Sequence, residues 1–300
     1  MTREHIIINE VGPRDGLQNQ AQALSVEQRL QLINALIKSG IRHMEVGSFV
    51  SPRAVPQMAE TDELLARLQP PPDMCLSVLV PNQKGYELAR AAGARTVAVV
   101  VSATETMNQK NINMSLDQVM GVAKEIIQQG ADEDITVQAY LSVAFECPFE
   151  GLVAHSTVMG LAHELIAAGA REIVVADTIG AANPATVRVL LDPLTAEHGG
   201  ETFACHFHDT RAMALANIFA AIESGVRKFD SSIGGLGGCP FAPGAAGNAA
   251  TEDVVMMCED MGYDTGISMP ELLQAVSLAA ELTGACQGGR AHYWLSKNTG

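Results

Sequence analysis

Short apolar runs alternate with amphipathic ones along the whole chain. Eight runs predict strands, at residues 6–11, 43–49, 74–80, 96–102, 135–144, 172–177, 202–208 and 228–233. Several, such as TVAVVV and EIVVAD, are almost unbroken, the pattern of parallel strands covered on both faces. The stretches between them place apolar residues at helical spacing. In 25–39, Val26, Leu30, Ile33, Leu36 and Ile37 share one face, with Ser25 positioned as N-cap and Gly40 just past the end. Segments 116–129, 156–168, 184–197, 212–224 and 250–261 follow the same logic. The units recur at roughly 30 residues, the size of one strand–helix–strand step. Eight of them without a long linker predict a closed (β/α)8 TIM barrel occupying residues 1–300 as one domain. A doubly wound open sheet is the runner-up, but the turn after the first strand, GPRDGLQ, lacks the GxGxxG of that fold. An extra helix at 270–282 follows the eighth unit, and a polar tail at 288–300 caps a barrel end or joins a subunit contact.

Composition narrows the function. Apolar residues make up 47% and aromatic ones only 4%, so the core is aliphatic. A formal charge of −15 argues against nucleic-acid binding, which needs a basic face, but leaves room for a small anionic substrate held by local cations. No apolar run approaches the roughly 18 residues of a membrane span. The six cysteines are scattered without a CxxC pair. That pattern fits reduced thiols and a cytoplasmic location better than a disulfide framework. The start of the chain is too short in apolar residues for a signal peptide.

In such a barrel, chemistry gathers where strands end at the carboxyl face. The first strand leads into Gly12-Pro13-Arg14-Asp15-Gly16-Leu17-Gln18, an adjacent cation and carboxylate that form either a surface pair or a feature of the barrel mouth. Glu45 interrupts the second strand, and either faces solvent or points inward with a partner. The fourth strand leads into a polar loop with Lys110 and Asn111, the sixth ends at Asp177, and the seventh carries His206 and His208. Two residues apart on a strand, these imidazoles face the same side. They are either satisfied core residues or a metal pair. The stretch 234–248, GGLGGCPFAPGAAGN, has six glycines and two prolines, so it is neither helix nor interior strand. It reads either as a long surface loop or as a mobile lid carrying one thiol, Cys239. Asn248 closes it as a helix cap or a ligand. Asp15, His206, His208 and Asn248 together offer a carboxylate, two imidazoles and an amide oxygen. That set suits six-coordinate Mg2+ or Mn2+, the nitrogens leaning toward Mn2+ or Zn2+.

These residues in this order resemble the 3-hydroxy-3-methylglutaryl-CoA lyase family. The likeness runs through NEVGPRDGLQN, GSFVSPRAVPQMA, KNIN, CPFEG, ADTIG, HFHDT and GGLGGCPFAPGAAGNAATED, nearly the whole chain. It implies a TIM barrel binding one divalent cation, Mg2+ or Mn2+, through Asp15, His206, His208 and Asn248. It also implies an acyl-CoA thioester as substrate and cleavage of 3-hydroxy-3-methylglutaryl-CoA to acetyl-CoA and acetoacetate. Arg14, Asp15, Glu45, His206 and Cys239 correspond to catalytic positions. Asp15, or alternatively His206, accepts the hydroxyl proton, Arg14 faces the thioester oxygen, and Cys239 protonates the enolate. Arg14, Gln18, Asn111 and Asp177 are the expected substrate contacts, and a homo-oligomer, a dimer in the first instance, is expected. Three departures bear on the acyl group: RAMALAN after HDT, Gln20-Ala21 after the first motif, and Phe149 where other members carry Tyr. Alternatives are a lyase for citramalyl-CoA or a longer branched 3-hydroxyglutaryl-CoA, a condensing synthase, and a non-enzymatic barrel scaffold.

Overall fold

The structure is a computed structural model and describes residues 3–238 and 247–299. Eight parallel strands close into a barrel: β1 Ile7–Glu10, β2 His43–Ser48, β3 Cys75–Leu79, β4 Thr96–Ser102, β5 Thr136–Ser142, β6 Glu172–Asp177, β7 Phe203–Phe207 and β8 Lys228–Ser231. Neighbours in sequence are neighbours in the sheet, and β8 pairs back with β1. The closed barrel therefore stands, and the open sheet is excluded.

Helices cover the outside: α1 Val26–Lys38, α2 Thr61–Arg67, α3 Gln83–Ala91, α4 Glu105–Ile112, α5 Leu116–Asp132, α6 His155–Ala168, α7 Pro184–His198, α8 Ala214–Glu223 and α9 Thr251–Asp260. Beyond the eighth unit lie α10 Met269–Thr283 and α11 His292–Asn298. A small antiparallel hairpin pairs Glu146–Cys147 with Gly151–Leu152 after β5. The sequence pattern missed α2, α3, α4, α11 and this hairpin. The segment that forms α4, ETMNQKNI, has almost no apolar periodicity, so it read as a loop.

The expected caps are present. Ser25 and Gln28 bond reciprocally across the first turn of α1, and Gly40 takes a left-handed conformation after it, with φ of 104°. The buried face of α1 is offset from the expected one. Val26, Leu32, Ile33 and Leu36 are buried together with Arg29, whereas Leu30 and Ile37 are only partly covered. Arg29 is tolerated there because its guanidinium donates to the carbonyl oxygens of Ala59 (2.9 Å) and Val46 (3.1 Å) and to Thr61 Oγ1 (3.4 Å).

The main aliphatic core lies between sheet and helices. Inside the barrel, Ala98, Val174 and Ala204 form a separate small cluster with Tyr140. Their small side chains leave space for the phenol to cross the interior. Register matters here. Asp230 is paired with Asn9 on one side and with His206 on the other, so three polar side chains from β1, β8 and β7 share one level. The tail is bound to the barrel's carboxyl end. Backbone N–H groups of Gly289, Arg290 and Ala291 donate to the carboxylates of Glu252 and Asp253 in the first turn of α9. Arg290 also pairs with Asp209, just beyond β7. The tail therefore caps the barrel's carboxyl end.

Candidate active site

The chain leaves β1 through a π-helical turn, Gly12–Gly16. The N–H groups of Arg14, Asp15 and Gly16 all converge on the carbonyl of Val11, at 3.1, 2.7 and 3.2 Å. Single π-helical turns of this kind recur at functional sites. Here they aim Arg14 and Asp15 into the mouth. Arg14 Nη1 donates to Asp15 Oδ1 at 2.8 Å, and its Nε donates to Glu45 on β2. Glu45 is fully buried, so it points inward with a partner and not toward solvent. Burial pushes its carboxyl up to about 7, although Arg14 pulls the other way. Glu45 Oε1 is enclosed without a hydrogen bond among the described residues.

His206 lies on β7 and His208 just past its end, where it bridges to Asn248. Their Nε2 atoms face each other at 3.1 Å. Asp15 donor oxygen and the two imidazoles lie within 4.8 Å of one another. Asn248 closes the group. Its Nδ2 donates to Asp15 Oδ2 (2.7 Å) and to the carbonyl of Leu236 (2.9 Å). That leaves its Oδ1, a buried acceptor with no hydrogen bond among the described residues. Gln18 Nε2 reaches Asp15 Oδ1 at 3.3 Å.

The electrostatics favour lone pairs at this point. Burial alone would raise the Asp15 pKa, but Arg14, His206 and His208, with the Asn248 bond, outweigh it and hold the carboxyl below its usual range. Burial lowers His208 to about 4, with His206 adding to the effect. His206 goes the other way. Its burial is outweighed by the hydrogen bond and charge of Asp230.

Asp230, Tyr140 and Asn9 were not recognised from the sequence. Asp230 accepts from Asn9 Nδ2 (2.7 Å) and Tyr140 OH (2.8 Å), and pairs with His206 Nδ1 (3.0 Å). A carboxylate on Nδ1 fixes the imidazole with Nε2 available, the arrangement found behind metal-bound histidines. The only sequence signal was a lone Asp in the eighth strand, which looks like any solvent-facing position. Glu10 is a second such residue. It accepts from Gly12 N (2.7 Å), Ile233 N (2.9 Å) and Thr251 Oγ1 (2.6 Å), tying β1, β8 and α9 together beneath the mouth.

Two expected contacts make no hydrogen bond to the cluster among the described residues. Asn111 is exposed on α4 and makes no hydrogen bond to the cluster among the described residues, so its place in a polar loop is corrected to a helix. Asp177 ends β6, but both its oxygens accept backbone N–H groups, from Ala181 (2.8 Å) and Ala182 (3.0 Å), which is the turn-starting role. Cys239 lies outside the described residues. The chain on either side of 239–246 is fixed beside the cluster, Gly238 O by Asn19 Nδ2 at 2.8 Å and Gly247 O by Asp209 N at 3.0 Å. A cavity of about 250 Å³ opens at the opposite end of the barrel, among His5, Arg42, His43 and Thr265, and none of the candidate residues lines it.

The donor set fits a divalent cation. Two ligands at right angles on bonds of about 2.0–2.1 Å stand roughly 2.9 Å apart, close to the 3.1 Å between the two Nε2 atoms. Asp15 adds an oxygen to the two nitrogens, and the unpaired Asn248 Oδ1 would supply a second. A parallel barrel with polar groups converging at its carboxyl mouth defines the class of TIM-barrel enzymes. More narrowly, the chain belongs to the HMGL-like family, whose profile matches residues 5–279. It is similar to a hydroxymethylglutaryl-CoA lyase of Pseudomonas mevalonii, 44% identical over 91% of each chain. It is also similar to a 3-hydroxy-3-isohexenylglutaryl-CoA/hydroxy-methylglutaryl-CoA lyase of Pseudomonas aeruginosa, 39% identical over 94% of each. Among solved structures, an HMG-CoA lyase from Acenitobacter baumannii in complex with coenzyme A and 3-methylmalate superposes with a TM-score of 0.92, 36% identity, and coverage of 96% of this chain and 94% of that one.

Proposed function

We propose that this chain, as one lyase domain over residues 1–300, cleaves 3-hydroxy-3-methylglutaryl-CoA to acetyl-CoA and acetoacetate. The observation that carries the reading is the convergence of Asp15, His206 and His208 in the mouth, with Asn248 hydrogen-bonded to Asp15 and its own Oδ1 buried without a partner among the described residues. Those four would hold one Mg2+ or Mn2+, which, when bound, supplies Lewis acidity toward the substrate's 3-hydroxyl.

The protein's own groups do the rest. Asp15, kept ionised by Arg14, accepts the hydroxyl proton. His206 does not compete for this role, because Nδ1 is held by Asp230 and Nε2 is turned to the cation position. The C2–C3 bond breaks, its electron pair stays on C2 as the acetyl-CoA enolate, and the former hydroxyl carbon becomes the ketone of acetoacetate. Arg14, oriented by Glu45, uses its remaining Nη2 donor on the thioester oxygen, where negative charge develops. Cys239, the thiol of the glycine-rich stretch, gives C2 a proton. Gln18 steadies Asp15. Asn111 and Asp177 are left with weaker claims to substrate contact. The protein works in the cytoplasm as a homodimer in this reading. Among the described residues no helix is long and apolar enough to cross a membrane.

A second substrate class has support of its own. One relative is named for a longer branched acyl group, and Phe149, where other members carry Tyr, stands half-exposed in the hairpin beside the Lys110 ammonium at 5.7 Å. One assay tests both readings: purified protein with Mg2+ and a panel of 3-hydroxyacyl-CoA thioesters, following acetoacetate, pyruvate and longer keto acids. Acetoacetate from the methyl substrate supports the first reading, and a higher kcat/KM on the longer branched substrate supports the second. No keto acid from any substrate overturns both. Cys239→Ser should slow turnover while the fold is kept, and EDTA should abolish activity that Mg2+ or Mn2+ then restores.

A further inference from the structure

A second cluster of metal-ligating side chains lies on the outer face of the barrel, on residues the proposed chemistry does not use. His163 projects from α6, and Glu197 and His198 close the C-terminal end of α7. Glu197 Oε2 is 3.3 Å from His163 Nε2, and its Oε1 is 3.6 Å from His198 Nε2. The two rings stand 5.1 Å apart. One ligand atom from each of the three residues falls within 4.8 Å of the others. The helix end that carries two of them is fixed: Thr202 Oγ1 donates to the carbonyl of His198 at 2.7 Å, and the His198 ring rests beside the buried Phe203.

An ordinary surface ion pair does not account for this arrangement. Both Nε2 atoms are enclosed, yet neither makes a hydrogen bond among the described residues. An enclosed ring nitrogen without a partner is unfavourable unless something fills the position. The 3.3 Å between Glu197 Oε2 and His163 Nε2 also fits a filled position. In a tetrahedral zinc site with bonds of about 2.0–2.1 Å, adjacent ligand atoms stand roughly 3.3 Å apart. Two imidazoles and a carboxylate are also the ligand types zinc takes, and Glu197, at 57% exposure, leaves a side open to water as a fourth ligand.

We propose that His163, Glu197 and His198 form a second divalent-metal site, for a zinc-class cation, that staples α6 to α7. Its occupancy is independent of the active site.

The test uses Zn2+ as the probe on chelator-treated protein, with bound metal counted after equilibrium dialysis. The wild type should hold two Zn2+ per chain. His208→Ala should hold one, and that one should vanish when His163→Gln is added. Glu197→Gln, at an exposed position that the fold does not depend on, should lower Zn2+ affinity at this site by about tenfold or more. In the His208→Ala background, Zn2+ should raise the melting temperature, and adding Glu197→Gln should remove the rise. A His163→Gln or Glu197→Gln protein that binds Zn2+ with the wild-type stoichiometry and affinity overturns the proposal. So does a His208→Ala protein that binds none.

Discussion

Asp230→Asn isolates what the buried carboxylate behind His206 contributes. Asp230 Oδ1 accepts from Asn9, while Oδ2 serves both Tyr140 and His206. An amide at this position has only one acceptor atom. If its NH2 group replaces Oδ2, it donates to His206 Nδ1 and drives the imidazole into the tautomer whose Nε2 carries hydrogen, so the lone pair is lost. If it replaces Oδ1, it meets the NH2 of Asn9, and His206 keeps only a neutral acceptor in place of a charged one. Either way the ring becomes a poorer ligand. Removing such a partner typically costs 10–100-fold in metal affinity, or about 1.4–2.7 kcal/mol. The assay is a titration with Mn2+, following the free ion by electron paramagnetic resonance, with kcat measured at saturating Mn2+. The dissociation constant should rise at least tenfold, and much of the lost turnover should return at high Mn2+. An Mn2+ affinity within twofold of wild type would refute the assigned role of Asp230.

Three further outcomes follow from the same geometry. Arg14→Gln should reduce turnover roughly 100–1000-fold while metal still binds, and should also destabilise the fold, because Glu45 is left buried without its cation; near-normal kcat would remove Arg14 from the chemistry. Burial, partly offset by bonds from Thr251, Ile233 and Gly12, pushes Glu10 up to about 7. The folded state then holds a proton that the unfolded chain has already lost, so this group makes stability fall as pH rises from the ordinary carboxylate range to about 7, and level off above. Glu10→Gln should flatten that stretch of a urea-unfolding pH profile, and an unchanged slope would count against it. Gly247→Ala would place a methyl group 2.0 Å from Gly235 O and 2.5 Å from Gly237 O. It should displace Asn248 and weaken metal binding, and an Mn2+ affinity equal to wild type would show that the close approach is not needed.

The barrel could be read from the sequence because its strands are buried on both faces and its helices on one, so both periods survive in the residue order. The His206/His208 pair was legible for the same reason: polar side chains at the end of an apolar strand stand out. Asp230, Tyr140 and Glu10 did not stand out. Their partners come from strands adjacent in the barrel or across it, and one inward polar residue looks the same in sequence as one outward one. Arg29 misled in the opposite direction. A charge on a helix marks the solvent face unless three carbonyl and hydroxyl acceptors happen to meet it, and those acceptors lie 17 to 32 residues further along the chain. Helix α4 was invisible because its ends are held by contacts outside itself, such as Thr106 N to Glu150 at 2.7 Å, and not by an apolar stripe.

Glu252 binds the N–H of Gly234, where the glycine-rich stretch begins, through one oxygen, and the N–H of Gly289 in the tail through the other. One carboxylate thus ties the mouth directly to the C-terminal segment. The protein's single tryptophan, Trp294, sits on α11, half-exposed, a few residues beyond that junction. Its emission should therefore report substrate entry without a label near the reacting atoms, and a spectrum unchanged by saturating acyl-CoA would show that the two ends are not coupled.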